Sequence, residues 1–160
     1  MQTHPGEEGR SGARGVRLVH MMVVLAGVAA LTAAPAAGPP GVSYFDQDQV
    51  KAAFARGTPI LEVDGYKIHA SRREGPGQAE IHERDTDIVY VLDGEATIVT
   101  GGAVIEGRST APEEVRGTSI QGGSSRRLVR GDVLVVPNGV PHWFREVKGP
   151  FLYYVVKVRS

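Results

Sequence analysis

The stretch that decides the fold is Gly131-Asp132-Val133-Leu134-Val135-Val136-Pro137-Asn138-Gly139-Val140-Pro141-His142-Trp143-Phe144. Gly131-Asp132 is a turn, Val133 to Val136 is an apolar strand, and Pro137-Asn138-Gly139 reverses the chain sharply enough to aim His142 inward. Sixty residues upstream stands Glu80-Ile81-His82, followed by Asp87. Side chains two apart in a strand share a face, so Glu80 and His82 point the same way. Two imidazoles and two carboxylates inside a barrel make a ligand set for one divalent ion. The two negative charges lower the cost of burying it. Donors without sulfur suit iron(II), manganese, nickel, zinc or copper(II), and ligand type does not order these. The plainer account is two barrel-lining histidines held by hydrogen bonds, with Glu80 solvated at the barrel mouth and Asp87 capping the turn after Asp85-Thr86.

Working outward, strands and turns alternate. Ile60 to Val63 stops at Asp64-Gly65, a hairpin signal, and Tyr66 to Arg72 returns. Gly75-Pro76-Gly77 leads to a strand from Ala79 to His82. Asp87 to Leu92 ends at Asp93-Gly94, a second hairpin signal, with Glu95 to Thr100 pairing back. Val104 to Glu106 is one more short strand. Residues 107–125, polar and rich in glycine and serine, read as a loop. His142 to Val147 and Phe151 to Val158 complete an all-β set that fits a sandwich or barrel. Ahead of it, Ser43 to Arg56 reads as one short helix, capped by Ser43 or Asp46 and ended by Gly57.

The spacing resembles the two cupin motifs. The first runs glycine, five residues, His-x-His, three or four residues, glutamate, six residues, glycine; here the leading glycine falls on Glu74, with Gly75 beside it, Glu80 replaces the first histidine, Asp87 replaces the glutamate, and Gly94 closes it. The second runs glycine, five residues, Pro-x-Gly, two residues, histidine, three residues, asparagine; here Gly131, Pro137, Gly139 and His142 match and Glu146 departs. The resemblance implies a double-stranded β-helix, or jelly-roll barrel, preceded here by the short helix read from Ser43 to Arg56. It implies one metal held by Glu80, His82, Asp87 and His142, a small-molecule ligand or substrate, and a homodimer. Its single-domain members include dioxygenases, decarboxylases, isomerases and lyases. A non-catalytic barrel capturing a sugar or small acid is the alternative.

The remaining sequence sets limits. Of 160 residues 18 are basic and 18 acidic, with no net charge, so nothing marks a nucleic-acid partner. The absence of cysteine removes disulfides, thiolate ligands and cysteine nucleophiles. Arg10, Arg14 and Arg17 precede an apolar run from Leu18 to Leu31, interrupted only by His20, and then small residues to Gly38, the order of a secretory signal peptide. The run is short for a membrane span, which needs about twenty residues. The domains expected are a signal peptide over 1–37, a linker and helix over 38–58, and a barrel over 59–160, with the mature chain periplasmic or secreted and without a stable membrane span. Among other residues, His69 reads as facing outward with Lys67 and Ser71. Arg72-Arg73 and Arg126-Arg127 could hold an anion or simply be solvated. Phe144 shares the side of His142, while Tyr90, Tyr153 and Tyr154 read as core. If export follows, protein recovered from periplasm or medium will begin just after Ala34, Ala36 or Ala37 by intact mass; protein that keeps its leader there would refute cleavage.

Overall fold

A computed structural model describes residues 41–160, and the leader expected over 1–37 lies outside them. Helix α1, Gln47–Arg56, starts at Asp46, whose side chain accepts from the backbone of Gln49 while Gln49 caps back. Gly57 ends it in the left-handed conformation at φ 63°. Among the described residues, no helix is long and apolar enough to cross a membrane.

Eleven strands follow: β1 Pro59–Val63, β2 Tyr66–Arg73, β3 Ala79–His82, β4 Asp85–Thr100, β5 Ala103–Ile105, β6 Arg108–Ala111, β7 Glu114–Gly117, β8 Ser119–Gln121, β9 Ser124–Val129, β10 Val133–Val136 and β11 His142–Arg159. The long strands β4 and β11 pair antiparallel along their whole lengths and bend midway. Their ends nearer Asp85 and Arg159 carry β10 on one side and β2 with β1 on the other. Their other halves carry β9 on one side and β3, β7 and β6 on the other. The result is the two-layered all-β barrel expected, with one short helix ahead of it.

Three expectations are corrected. Asp93-Gly94 is not a hairpin, and β11 is one strand rather than two. Both strands continue through a shift in register between Lys148 and Leu152, opposite Asp93 and Glu95. Gly94 sits at φ 80°, and a Cβ there would lie 2.3 Å from the Pro150 carbonyl oxygen. Here the glycine permits a bend with close backbone contact, not a reversal. Residues 107–125 are not a loop: they contain β6, β7, β8 and the start of β9. The polar composition of β6 reflects exposure, since every residue of it is exposed, whereas β7 is half-buried to buried.

The main core joins Val91, Ile98, Leu128, Phe144, Phe151 and Tyr153, among others, between the layers. A smaller cluster of Ala79, Val99 and Ile120 packs with Trp143. Trp143 therefore packs away from the main core, and its indole N–H donates to the Gly77 carbonyl at 2.8 Å.

Gly94→Ala should destabilise by about 2–4 kcal/mol, because strain at positive φ adds to the clash with Pro150. Gly65→Ala, at φ 92° with nothing within 4 Å of its Cβ, should cost about 1 kcal/mol from conformation alone. Urea unfolding of both variants checks this, and equal costs would refute the close approach.

Candidate metal centre

Cross-strand register builds the site. Glu80 on β3 lies opposite His142 at the start of β11 and, on its other side, opposite Arg116 on β7. His82 lies opposite Glu114 of β7, and Asp87 on β4 opposite Lys157 of β11. The Pro137-Asn138-Gly139 turn is hung on the end of β3: the Gly139 N–H donates to the His82 carbonyl at 2.7 Å. The Asn138 amide donates to the Glu83 carbonyl at 3.2 Å. That anchorage delivers His142 beside His82, with ring centroids 5.0 Å apart.

Both imidazoles aim the same nitrogen inward. His82 Nδ1 lies 2.5 Å from Glu114 Oε2, and His142 Nδ1 lies 3.2 Å from the Val140 carbonyl. Each partner is an acceptor, so each Nδ1 carries the proton. The Nε2 atoms are left facing the cavity, the arrangement that orients a metal-ligating histidine. His82 Nε2 is buried and without a hydrogen-bond partner. It lies 3.5 Å from both Glu80 Oε2 and Asp87 Oδ2, and His142 Nε2 lies 3.9 Å from the same two oxygens.

Glu80, His82 and His142 offer donor atoms all within 4.8 Å of one another, a group that could hold a metal ion. Asp87 is committed more firmly elsewhere, since the Lys157 ammonium donates to its two oxygens at 2.7 and 2.9 Å. The four residues singled out in the sequence are thus brought together. Four donors held about 2.1 Å from one ion in a tetrahedron stand about 3.4 Å apart. Glu80 Oε2 stands 3.5 and 3.9 Å from the Nε2 atoms of His82 and His142, near that spacing, so Glu80, His82 and His142 fit a divalent ion, while Asp87 lies outside that group of three.

Sequence reasoning missed the cations and the acid that surround this set. Arg116 donates to Glu80 Oε1 at 2.8 Å and to Glu114 Oε1 at 2.7 Å. Glu114 and Arg116 lie in the segment read as a loop, where no periodicity marked them. A cavity of about 320 Å³ opens over the site. His69, Ser71, Arg73, Tyr153 and Lys157 line it, which reverses the outward placement of His69 and adds Tyr153 to the pocket. The polar face of β2 points inward because the barrel encloses a polar cavity. Its apolar face, with Ile68, borders an apolar groove on the side of Phe45 and Val50. Phe144 lines the cavity as its alternation with Trp143 implied.

The charges set the protonation of the site. Burial by itself would lower the pKa of His82, but Asp87 and Glu114 outweigh it and raise the imidazole to about 9. Burial pushes His142 below its ordinary value. Burial would raise the Asp87 carboxyl, yet His82 and Lys157 hold it below its ordinary value. In metal-free protein, ring-proton NMR should therefore show His82 titrating near 9 and His142 below the ordinary imidazole value. Glu114→Gln should bring the His82 midpoint down. A raised folded-state value stabilises below the unfolded imidazole value and is lost as pH rises, so the His82 contribution should fade between about 6.5 and 9. Coincident midpoints for the two rings would contradict this charge arrangement.

Comparison with known proteins agrees with this architecture. The sequence matches the Cupin family over residues 61–159. No curated protein matches it. A solved structure from Bacillus halodurans is similar at 15% identity, covering 78% of this chain and 85% of that one, with a TM-score of 0.54. A cupin superfamily protein of Desulfitobacterium hafniense is 18% identical, covering 64% and 75%, with a TM-score of 0.47. The DMSP lyase DddQ of Ruegeria pomeroyi is 21% identical, covering 61% of this chain and 40% of that one, with a TM-score of 0.42. The family match spans most of the chain and contains all four candidate ligands: this chain belongs to the cupin family.

Proposed function

We propose that this cupin is exported and binds one divalent metal ion through Glu80, His82, Asp87 and His142, presenting it to a small-molecule ligand in the cavity. The observation that carries the reading is the convergence of the two Nε2 atoms on one oxygen each of Glu80 and Asp87, with His82 Nε2 buried and unsatisfied. Such an ion would supply Lewis acidity toward a ligand oxygen. The chain's own residues do the rest. Glu114 and the Val140 carbonyl fix the imidazoles, Lys157 and Arg116 hold the carboxylates, and Val89, Ile98 and Phe144 give the cavity an apolar wall. Dioxygenase, decarboxylase, isomerase and lyase chemistry are all compatible with that set, and the ion's identity selects among them.

A second reading has its own support. Asp87 and Glu80 are each already neutralised by a cation, Lys157 and Arg116, so the polar barrel is also self-consistent as a metal-free binding pocket. Elemental analysis by plasma mass spectrometry separates the two, on protein purified without chelator or histidine tag. About one equivalent of iron, manganese, nickel, zinc or copper should accompany the protein and be lost in His82→Ala and in His142→Ala. No metal, or metal indifferent to both substitutions, refutes the metal centre and leaves the ligand-binding barrel.

A further inference from the structure

The cavity contains one guanidinium that the rest of the site does not use. Arg116 is spent on Glu80 and Glu114, and the Lys157 ammonium on Asp87. Arg73, at the end of β2, is different. Its Nε donates to the Tyr153 hydroxyl at 2.9 Å, and its guanidinium carbon lies 4.5 Å from the centroid of the Phe144 ring. Among the described residues its two terminal nitrogens make no hydrogen bond; Nη2 only approaches Glu80 Oε1, at 3.8 Å.

The surroundings hold that fork in place. Gly77 leaves it room: a Cβ there would stand 2.5 Å from Nη1. Gly77 itself is tied to β11 from both sides. Its N–H donates to the Phe144 carbonyl at 3.0 Å, and its own carbonyl accepts from the Trp143 indole. Stacking, one hydrogen bond and a glycine cradle thus orient an arginine whose two terminal nitrogens make no hydrogen bond among the described residues. A planar fork of this kind matches a carboxylate bidentately.

Charge points the same way. Arg73, Arg116 and Lys157 balance Glu80, Asp87 and Glu114, three against three. A divalent ion bound to neutral imidazoles leaves the cavity with a surplus of two positive charges. A buried surplus is costly until an anion offsets it. Glu80 spans the distance between the two parts: Oε1 faces the guanidinium groups and Oε2 faces the imidazoles. The fork therefore stands one carboxylate's width from the donor cluster.

We propose that the ligand of this cavity is a small carboxylate, and that Arg73 is the residue that binds its carboxylate group. This rests on the metal-centre reading above for its charge surplus, while the free fork of Arg73 stands without it. The test titrates the purified full chain with succinate and with its neutral diamide by calorimetry, with metal content and circular dichroism measured on the same samples. Succinate should bind and the diamide should not. Arg73→Gln should weaken succinate by about tenfold or more, with metal content and fold unchanged, and Arg73→Lys should fall between. Equal succinate affinity in Arg73→Gln, or equal affinity for succinate and diamide, overturns the assignment. Wild-type protein without metal overturns the metal centre instead, and the Arg73→Gln comparison then tests the fork alone, in the metal-free cavity.

Discussion

The strand register around β3 is the constraint on which the site depends. Four of the pairings that build the candidate centre join residues directly opposite one another: Glu80 with His142, Glu80 with Arg116, His82 with Glu114, and Asp87 with Lys157. Opposite residues in antiparallel strands bring their Cβ atoms within about 5.5 Å, so pairing geometry alone delivers these groups to one another. A slip of β3 by one residue would turn Glu80 and His82 to the other face and dissolve the three contacts they make, leaving only Asp87 with Lys157. β3 is four residues long and meets β11 only at Glu80–His142. Its register is secured instead by β7 and by the Gly139 N–H bound to the His82 carbonyl.

How much of this was legible in the sequence follows from where the information resides. Pro137-Asn138-Gly139 and His142 announce themselves because a tight turn needs particular residues. Glu80 and His82 announce themselves because alternation puts them on one face. Glu114 and Arg116 do not, since their role comes from lying opposite β3, and pairing between segments more than thirty residues apart leaves no local periodicity. The segment around them looks like a loop because β6 is exposed and carries no apolar face to betray a strand. The same limit explains Asp93-Gly94, where φ 80° is required, but by a bend under Pro150 and not by a hairpin.

The polar face of β2 turns inward, against the expectation from its composition. Alternation tells which residues share a side but not which side is the interior. The assumption that polar means outward fails in a barrel built around a polar cavity. In β2 the polar side, with His69, Ser71 and Arg73, lines the cavity, and the other side holds Ala70, which is fully buried. Its other neighbour on β11 carries Tyr154, whose ring packs edge-on against Phe54 of α1 at 4.9 Å. The short helix thus contributes an apolar cover to the outside of a strand whose inside is occupied by chemistry.

The substitution of glutamate at position 80 also accounts for the elements around it. A histidine there would need only a fixed tautomer, whereas a buried carboxylate needs a cation, and Arg116 supplies one at 2.8 Å. Arg116 beside a metal centre would in turn add unwanted positive charge, and Glu114 offsets it at 2.7 Å while its other oxygen fixes His82. Glu80, Arg116, Glu114 and His82 therefore form one chain of alternating charge that runs back to the imidazole it began beside. Restoring histidine at position 80 alone would leave Arg116 with half its partners. The departure from the usual motif is thus coupled to the β7 strand, and the acid and its hairpin are best understood as a single unit.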